Sequence, residues 1–352
     1  MRALFNLPAP AKINWFLHVT GKRPDGYHTL QTVFQFIDWC DTLDLIRRDD
    51  GLIRRIGADE LPQDDLCVRA ARLLQQVTQC ESGVDIHLRK RIPQQAGLGG
   101  GSSDAATVLI GLNRLWRLDL PRATLMQLAL QLGADVPIFI YGRNAWAEGV
   151  GEKLQEIDLP TPSFAVVHPA RGLSTRAVFS TLDLTTQKPE ETIAGFAEWL
   201  GKFFAPDGRQ KNWQQKNQSK NSQQEGQQSG FQGCFCPVWG RNDLQPGAEA
   251  LEPEVAQALQ ILRTALMEPL AVEPLAAHSP MLRFELCFDA RMTGSGSAVF
   301  ALIGASDRSG LPGRHGPSDE VLGGLPDLLP EGWQGRLCEG LREHPLRDWI
   351  DA

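Results

Sequence analysis

The order of apolar and polar positions divides the chain into strand-like and helix-like stretches. AKINWFLHV (11–19) and LQTVFQFIDW (30–39) are rich in β-branched and aromatic residues and predict strands. In GVDIHLRKRI (83–92), Val84, Ile86 and Leu88 recur at every second position, as on one face of a half-buried strand. DLCVRAARLLQQVT (65–78) gathers Leu66, Val68, Ala71, Leu73 and Leu74 on one helical face, and Val108, Leu109, Leu112 and Leu115 repeat that spacing further on. A third helix is predicted over PRATLMQLALQLG (121–133), with Pro121 near its start and Gly133 as its stop. PSFAVVHPARGLSTRAVFSTL (162–182) reads as a buried strand, a turn and a helix. Ordered signals return at NDLQPGAEALEPEVAQALQIL (242–262) and RMTGSGSAVFALI (291–303).

Between these stretches the pattern fails twice. Gln, Asn, Ser, Gly and Lys dominate 210–232 and leave almost nothing to bury, so a flexible insertion is expected over about 206–236. Residues 304–326 are rich in Gly, Pro and Ser and read as a loop. No internal repeat of the solenoid kind is visible. At 352 residues the chain has room for two domains, expected at 1–160 and 161–352.

Composition narrows the function classes. Hydrophobic content of 42% and charged content of 22% are those of an ordinary globular protein. A formal net charge of −7 argues against binding nucleic acid by broad neutralisation of its phosphates. RKRIP, the one dense basic run, is short enough to be a solvated strand end. Pro8, Pro10, Lys12 and Asn14 interrupt the apolar N-terminus, so no signal peptide is expected, and no apolar run reaches the length of a membrane span. The seven cysteines are odd in number and mostly scattered, which predicts reduced thiols and a cytoplasmic location. Cys234-Phe-Cys236 is a close pair without the second pair or clustered His that a metal site requires.

The densest chemical signal is PQQAGLGGGSSDAA (93–106). Gly97, Gly99, Gly100 and Gly101 lack Cβ atoms, so their N–H groups can come close to a ligand. Ser102 or Ser103 is expected to cap the helix that follows. A helix start of this kind suits a phosphate, although a tight glycine-rich connection is the plain structural alternative. Two familiar phosphate loops do not fit. There is no lysine to make a Walker A loop, and Ser102 stands where the dinucleotide fingerprint needs its third glycine.

This loop resembles the phosphate loop of the GHMP kinases, the family of galactokinase, homoserine kinase, mevalonate kinase and phosphomevalonate kinase. PAPAKINWFLHVTGKRPDGYHTLQTVFQFID, GADVPIFIYGRNAWAEGVGE and TGSGSAVFAL extend the resemblance, in the same order, toward the branch that acts on a cytidine-diphosphate-linked methylerythritol in non-mevalonate isoprenoid synthesis. It covers most of 6–182 and resumes at 242–303. The resemblance implies an α+β, two-domain GHMP kinase fold, with an N-terminal domain of ribosomal-protein-S5-domain-2-like type and a C-terminal α/β sandwich of ferredoxin-like type. It implies transfer of the ATP γ-phosphoryl group to the 2-hydroxyl of that small molecule. ATP and Mg²⁺ are the expected cofactors, no nucleic-acid or membrane partner is expected, and the chain would act as a monomer or homodimer.

Carried over residue by residue, the resemblance makes Lys12 and Asp135 the catalytic pair. Asp135 would accept or orient the hydroxyl proton, and Lys12 would hold Asp135 ionised and balance charge on the transferred group. Read alone, Lys12 would be a solvated lysine and Asp135 a turn residue. Pro93, Gln94, Gln95, Ala96, Gly97, Leu98, Gly99, Gly100, Gly101, Ser102 and Ser103 would hold ATP. Asn14 follows Lys12 by two and should face the same cleft, to bind substrate or to serve as a buried structural Asn. Tyr27 and His28 would stack on and hydrogen-bond a cytosine, and Thr175 and Phe179 would close the other side of its pocket. Phe179 could equally be core. TGSGS (293–297) is expected near substrate or phosphates, with a strand-leading turn as its plain alternative. Ser102 or Ser103 could hold Mg²⁺, and its carboxylate ligand is left open. Another GHMP small-molecule kinase, of homoserine or mevalonate type, is the alternative within the fold. A non-catalytic nucleotide-binding regulator is the alternative outside it.

Overall fold

Two long antiparallel strands, β1 (Ala3–Lys22) and β2 (His28–Arg48), form the spine of the structure, a computed structural model. It describes residues 1–182, 191–203, 239–267, 285–286, 290–304, 325 and 329–350. The Gln-rich insertion, Cys234-Phe-Cys236 and nearly all of the loop expected at 304–326 lie outside the described residues. β1 continues through Pro8 and Pro10, which lack the N–H that a central strand needs. It can do so because, among the described residues, β2 is its only partner strand, which leaves the proline side of the strand outside any ladder. β2 also pairs with β4 (Gly83–Arg89) near one end and with β5 (Ala145–Glu148) near the other. β3 (Ile53–Ile56) and β6 (Lys153–Glu156) complete this sheet in the order β3-β4-β2-β5-β6.

A helical layer covers one face. It contains α1 (Leu66–Thr78), α2 (Gly100–Leu115), α3 (Arg122–Leu132) and the short α4 (Val136–Tyr141). The Asp65 side chain caps α1 by accepting the Val68 N–H at 3.0 Å. Ala105, Val108, Leu109 and Leu112 of α2 are fully buried against Leu43, Leu45 and Ile86. α4 stands where the sequence suggested only a turn around GADVP. Its first five residues, Val136 to Ile140, are all buried, so no polar face exists to give a helical period.

The other face carries Ala11, Ile13, Trp15 and Ile37, which pack on Phe164, Val166, Phe300 and Leu302 of a second sheet. That sheet contains β7 (Ser163–His168), β8 (Glu285–Leu286), β9 (Arg291–Met292), β10 (Val299–Gly304) and β11 (Gln334–Glu339). Its order is β11-β7-β10-β8, with β9 also on β10, and every pairing is antiparallel. Trp15 meets Phe164 and Phe196 edge-on, with ring centroids 6.0 Å apart in both cases. Phe196 comes from α5's successor in the chain: α5 spans Thr175–Ser180 and α6 spans Ile193–Phe203. Beyond the second sheet, Ala165, Val167, Val299 and Ala301 rest on Val255, Ala258, Leu259 and Leu262 of α8 (Glu254–Met267), which follows α7 (Gln245–Leu251). The result is an α+β stack of helices, sheet, sheet and helices. The C-terminal segment then returns to the first core, where Leu346 is buried and the Arg122 guanidinium donates to Arg347 O at 2.8 Å. The described cysteines, Cys40, Cys67, Cys80 and Cys338, are free, and burial pushes the Cys40 thiol up to about 12.

Candidate active site

Lys12 lies on β1 with its side chain only 2% exposed. A buried ammonium must be paired or pay heavily in lost hydration. Here it donates to Asn14 Oδ1 at 2.7 Å and to Gly97 O at 3.0 Å, and lies 3.4 Å from Asp135 Oδ2. The Phe34 ring lies beneath it at 5.3 Å. Asn14 reaches the same point as its two-residue spacing predicts, and its amide donates to Thr32 Oγ1 at 2.8 Å. Asp135 is the residue before α4, and its side chain is 41% exposed. One carboxylate therefore touches both the buried cation and the open space beside it.

The glycine loop 93–102 closes over Lys12 from the free edge of β1, where the Lys12 N–H donates to Leu98 O at 2.9 Å. Gly97 and Gly99 have φ of 74° and 73°, the left-handed region that favours glycine. A Cβ on Gly97 would come within 2.2 Å of Thr293 O, and one on Gly99 within 3.1 Å of the Lys12 side chain. The expected serine cap is not formed: Gly99 caps α2, and Ser102 and Ser103 lie in its first turn. The reason is geometric, since the left-handed turn ends at Gly99 and the helix starts three or four residues earlier than a cap at Ser102 or Ser103 requires. The first-turn N–H groups are left without a side-chain acceptor, as an anion site needs.

The second glycine turn, Thr293–Ser297, packs directly on the first. Asn14 N–H donates to Thr293 Oγ1 at 2.9 Å, and the Asn242 amide donates to Met292 O and Gly294 O at 2.9 and 2.8 Å. Ser295 Oγ lies 2.8 Å from Thr175 Oγ1, which ties this turn to α5. Farther along the β1–β2 hairpin, the rings of His28 and Phe179 stack with centroids 5.0 Å apart and planes at 23°. Burial first, and then the charge of Lys22, lower the His28 pKa, so its imidazole is neutral near pH 7. Tyr27 is exposed beside it.

Behind the glycine loop, Lys90 bridges two carboxylates, Asp41 on β2 and Asp104 on α2, with Asp104 Oδ2 at 2.8 Å. Burial works to lower the Lys90 pKa, and Asp104 and Asp41 outweigh it and push it up to about 12. Burial, reinforced by the Asp41 charge, holds Asp104 above the usual carboxylate range against the pull of Lys90. This corrects the reading of RKRIP as a solvated strand end. Arg89 is half exposed, but the Lys90 side chain is 11% exposed and clamps the loop's helix to the sheet.

A cavity of about 1410 Å³ joins these parts. Its wall includes Lys12, Asn14, Tyr27, His28, Pro93 through Ser102, Asp135, Thr175 and Phe179. Of the expected site residues only Ser103 is absent from the wall; it is fully buried inside α2. Asn242, Lys90 and Asp104 carry parts of the site without having been assigned to it in the sequence, whereas Thr293 opens the TGSGS turn expected there. GSSDAA and RKRIP held two of them in plain view, but only the fold shows that they meet. The volume exceeds the roughly 300–1,000 Å³ of a pocket for one drug-sized ligand, so two ligands of nucleotide size can meet there. Among the described residues no group of three His, Cys, Asp or Glu side chains could hold a metal. The Ser102 hydroxyl on the cavity wall suits a hard cation held mainly by nucleotide phosphates and water, which is the usual habit of Mg²⁺. No helix among the described residues is long and apolar enough to cross a membrane.

Residues 65–143 match the GHMP kinase N-terminal domain. The chain is 42% identical over 350 residues to the 4-diphosphocytidyl-2-C-methyl-D-erythritol kinase of Variovorax paradoxus, covering 99% of both proteins. It is 46% identical over 347 residues to the enzyme of that name from Ralstonia pickettii, covering 97% of this chain and 96% of that one. Among solved structures, a crystal structure of 4-(cytidine 5'-diphospho)-2C-methyl-D-erythritol kinase superimposes with a TM-score of 0.64 at 29% identity, over 95% of this chain and 98% of the other.

Proposed function

The chain belongs to the 4-diphosphocytidyl-2-C-methyl-D-erythritol kinase family of the GHMP kinases, and from that premise we propose how its residues move a phosphoryl group. The reaction transfers the γ-phosphoryl group of ATP to the 2-hydroxyl of 4-diphosphocytidyl-2-C-methyl-D-erythritol, a step of non-mevalonate isoprenoid precursor synthesis. The observation that carries the residue-level reading is the Lys12–Asp135 pair at 3.4 Å beside a glycine loop on a helix start.

Phosphoryl transfer asks mainly for positioning and charge stabilisation. Loop 93–102 cradles the donor phosphates with backbone N–H groups, which needs no Walker lysine. The acceptor hydroxyl stands at Asp135, which orients it and accepts its proton as the oxygen attacks the γ-phosphorus and the bond to the β-phosphate oxygen breaks. Lys12 fixes the Asp135 carboxylate and faces the charge spread over the transferred group. Its own position is set by Asn14 and Gly97. Mg²⁺ bound with the nucleotide would neutralise charge on its phosphates, and the Ser102 hydroxyl on the cavity wall would be a protein oxygen to hold it. Tyr27, His28, Thr175 and Phe179 receive the cytidine, for which a flat ring pair and a neutral imidazole are chemically suited.

Coupled ADP release tests this reading, with the cytidine-linked acceptor compared against homoserine and mevalonate. The cytidine-linked compound should turn over at least a hundredfold more efficiently than either. Equal turnover of homoserine or mevalonate would overturn the substrate assignment.

A further inference from the structure

The acceptor named above joins its cytidine to the methylerythritol through a diphosphate, which brings two or more negative charges into the cavity. Five cationic side chains line that cavity: Lys12, Lys22, Arg69, Lys90 and Arg176. Lys12 is committed to Asp135 and Lys90 to Asp41 and Asp104. Arg69 lies on α1, which borders the phosphate loop. Lys22 and Arg176 stand at the opposite end, with the stacked rings. Lys22 is the register partner of His28 across the β1–β2 pair, so the two side chains share a face. Arg176 precedes Phe179 by three residues in α5 and lies on the same helical side. Because His28 and Phe179 stack on one another, both cations belong to the part of the cavity wall that holds that ring pair, one from the sheet and one from the helix.

Neither cation is engaged in an ion pair among the described residues. Of the described acids on the cavity wall, Asp25 pairs with Arg23 at 2.8 Å and Asp135 with Lys12. Both side chains are exposed, so no folding requirement explains two unpaired positive charges beside an aromatic pair. An anion attached to a flat, stacking group explains them.

We propose that Lys22 and Arg176 hold the diphosphate of the acceptor, and that together they select a nucleoside-diphosphate-linked substrate over an uncharged polyol. This inference rests on the acceptor reading given under the proposed function. With the base on the His28–Phe179 rings and the diphosphate between the two cations, the polyol end is directed along the hairpin toward Asp135.

Calorimetry on the full chain tests it, with a non-hydrolysable ATP analogue filling the donor site so that only the acceptor site titrates. Wild type should bind CDP about tenfold or more tightly than cytidine, the ratio expected when charge-assisted hydrogen bonds form in a partly exposed site. Lys22→Gln and Arg176→Gln should bind cytidine as wild type does and lose most of the preference for CDP. Lys22→Arg should keep it. In steady state each Gln variant should raise the acceptor KM about tenfold without raising that for ATP, and should flatten its dependence on ionic strength. Variants that prefer CDP as strongly as wild type would overturn the role of the two cations and leave the proposed function standing. A wild type that binds neither cytidine nor CDP would overturn the acceptor reading, and this inference with it.

Discussion

A lysine almost wholly removed from water is the residue on which the site turns. Lys12 is held by two oxygen acceptors and one carboxylate, and the missing Cβ of Gly99 gives its stem room. Lys12→Met keeps the stem and removes the charge. Turnover should fall at least about a thousandfold if the ammonium faces the transferred group. Folding stability should drop by only about 1–2 kcal/mol, because Asp135 is partly exposed and can be solvated again while Asn14 Oδ1 and Gly97 O lose a donor. Denaturant unfolding beside initial rates separates the two effects. Lys12 and Asp135 were legible in the sequence only through the resemblance of AKIN and GADVP to known motifs. No periodicity distinguishes a buried lysine from a solvated one, since Gly97 and Asp135, two of the partners that hold it, are distant in sequence.

At the scale of elements, the candidate site is built on two glycine turns in mutual contact. Gly97→Ala would drive a Cβ to 2.2 Å from Thr293 O at a φ of 74°. It should raise the ATP KM at least about tenfold and destabilise the fold by about 1–3 kcal/mol. Asn242→Ala removes two donors from the carbonyls of Met292 and Gly294. It touches neither substrate, so its effect should appear as a loss of about 1–3 kcal/mol in stability with a smaller loss of rate, measured by thermal unfolding and initial rates. The first turn was legible because four glycines and two serines at a helix start have few other uses. Its cap was misread, since serine preference at helix starts gave way to a glycine already in the left-handed region. Asn242 was illegible, because NDL carries no local signal for a contact made fifty residues later. Lys90 was misread for a related reason: Asp41 and Asp104, which bury its charge, are distant in sequence.

For the whole molecule, the cavity draws its wall from both ends of the sheet stack, so the layers must stay registered for the site to exist. Two buried imidazoles report on that registration. Burial lowers the His344 pKa to about 3 and the His168 pKa to about 4. His344 accepts the Leu346 N–H at 3.1 Å and packs edge-on against Phe36 and Phe139. Above pH 6.5 both rings are neutral in the folded and unfolded chain, and stability is unaffected. Below it the unfolded chain binds protons that the folded chain refuses, so stability falls until the folded pKa values are reached. Between pH 6.5 and pH 5 the loss should be about 2 kcal/mol for each ring, seen as a falling urea midpoint. His344→Asn, which can still accept from Leu346, should flatten that slope. SFAVV and VFALI are continuous apolar runs, as strands covered on both faces are, but the order of the layers was not legible in them. The return of the C-terminal segment to the first core was not, because its few apolar residues show no period. The central claim, that Asp135 activates the acceptor hydroxyl within this cavity, is tested most directly by single-turnover transfer from ATP to the cytidine-linked acceptor in wild type and Asp135→Asn. Phosphorus NMR would identify the product. The account predicts a new phosphomonoester at the 2-position in wild type and a rate at least about a hundredfold lower in the variant, with acceptor binding retained. An Asp135→Asn rate within a few-fold of wild type would contradict it.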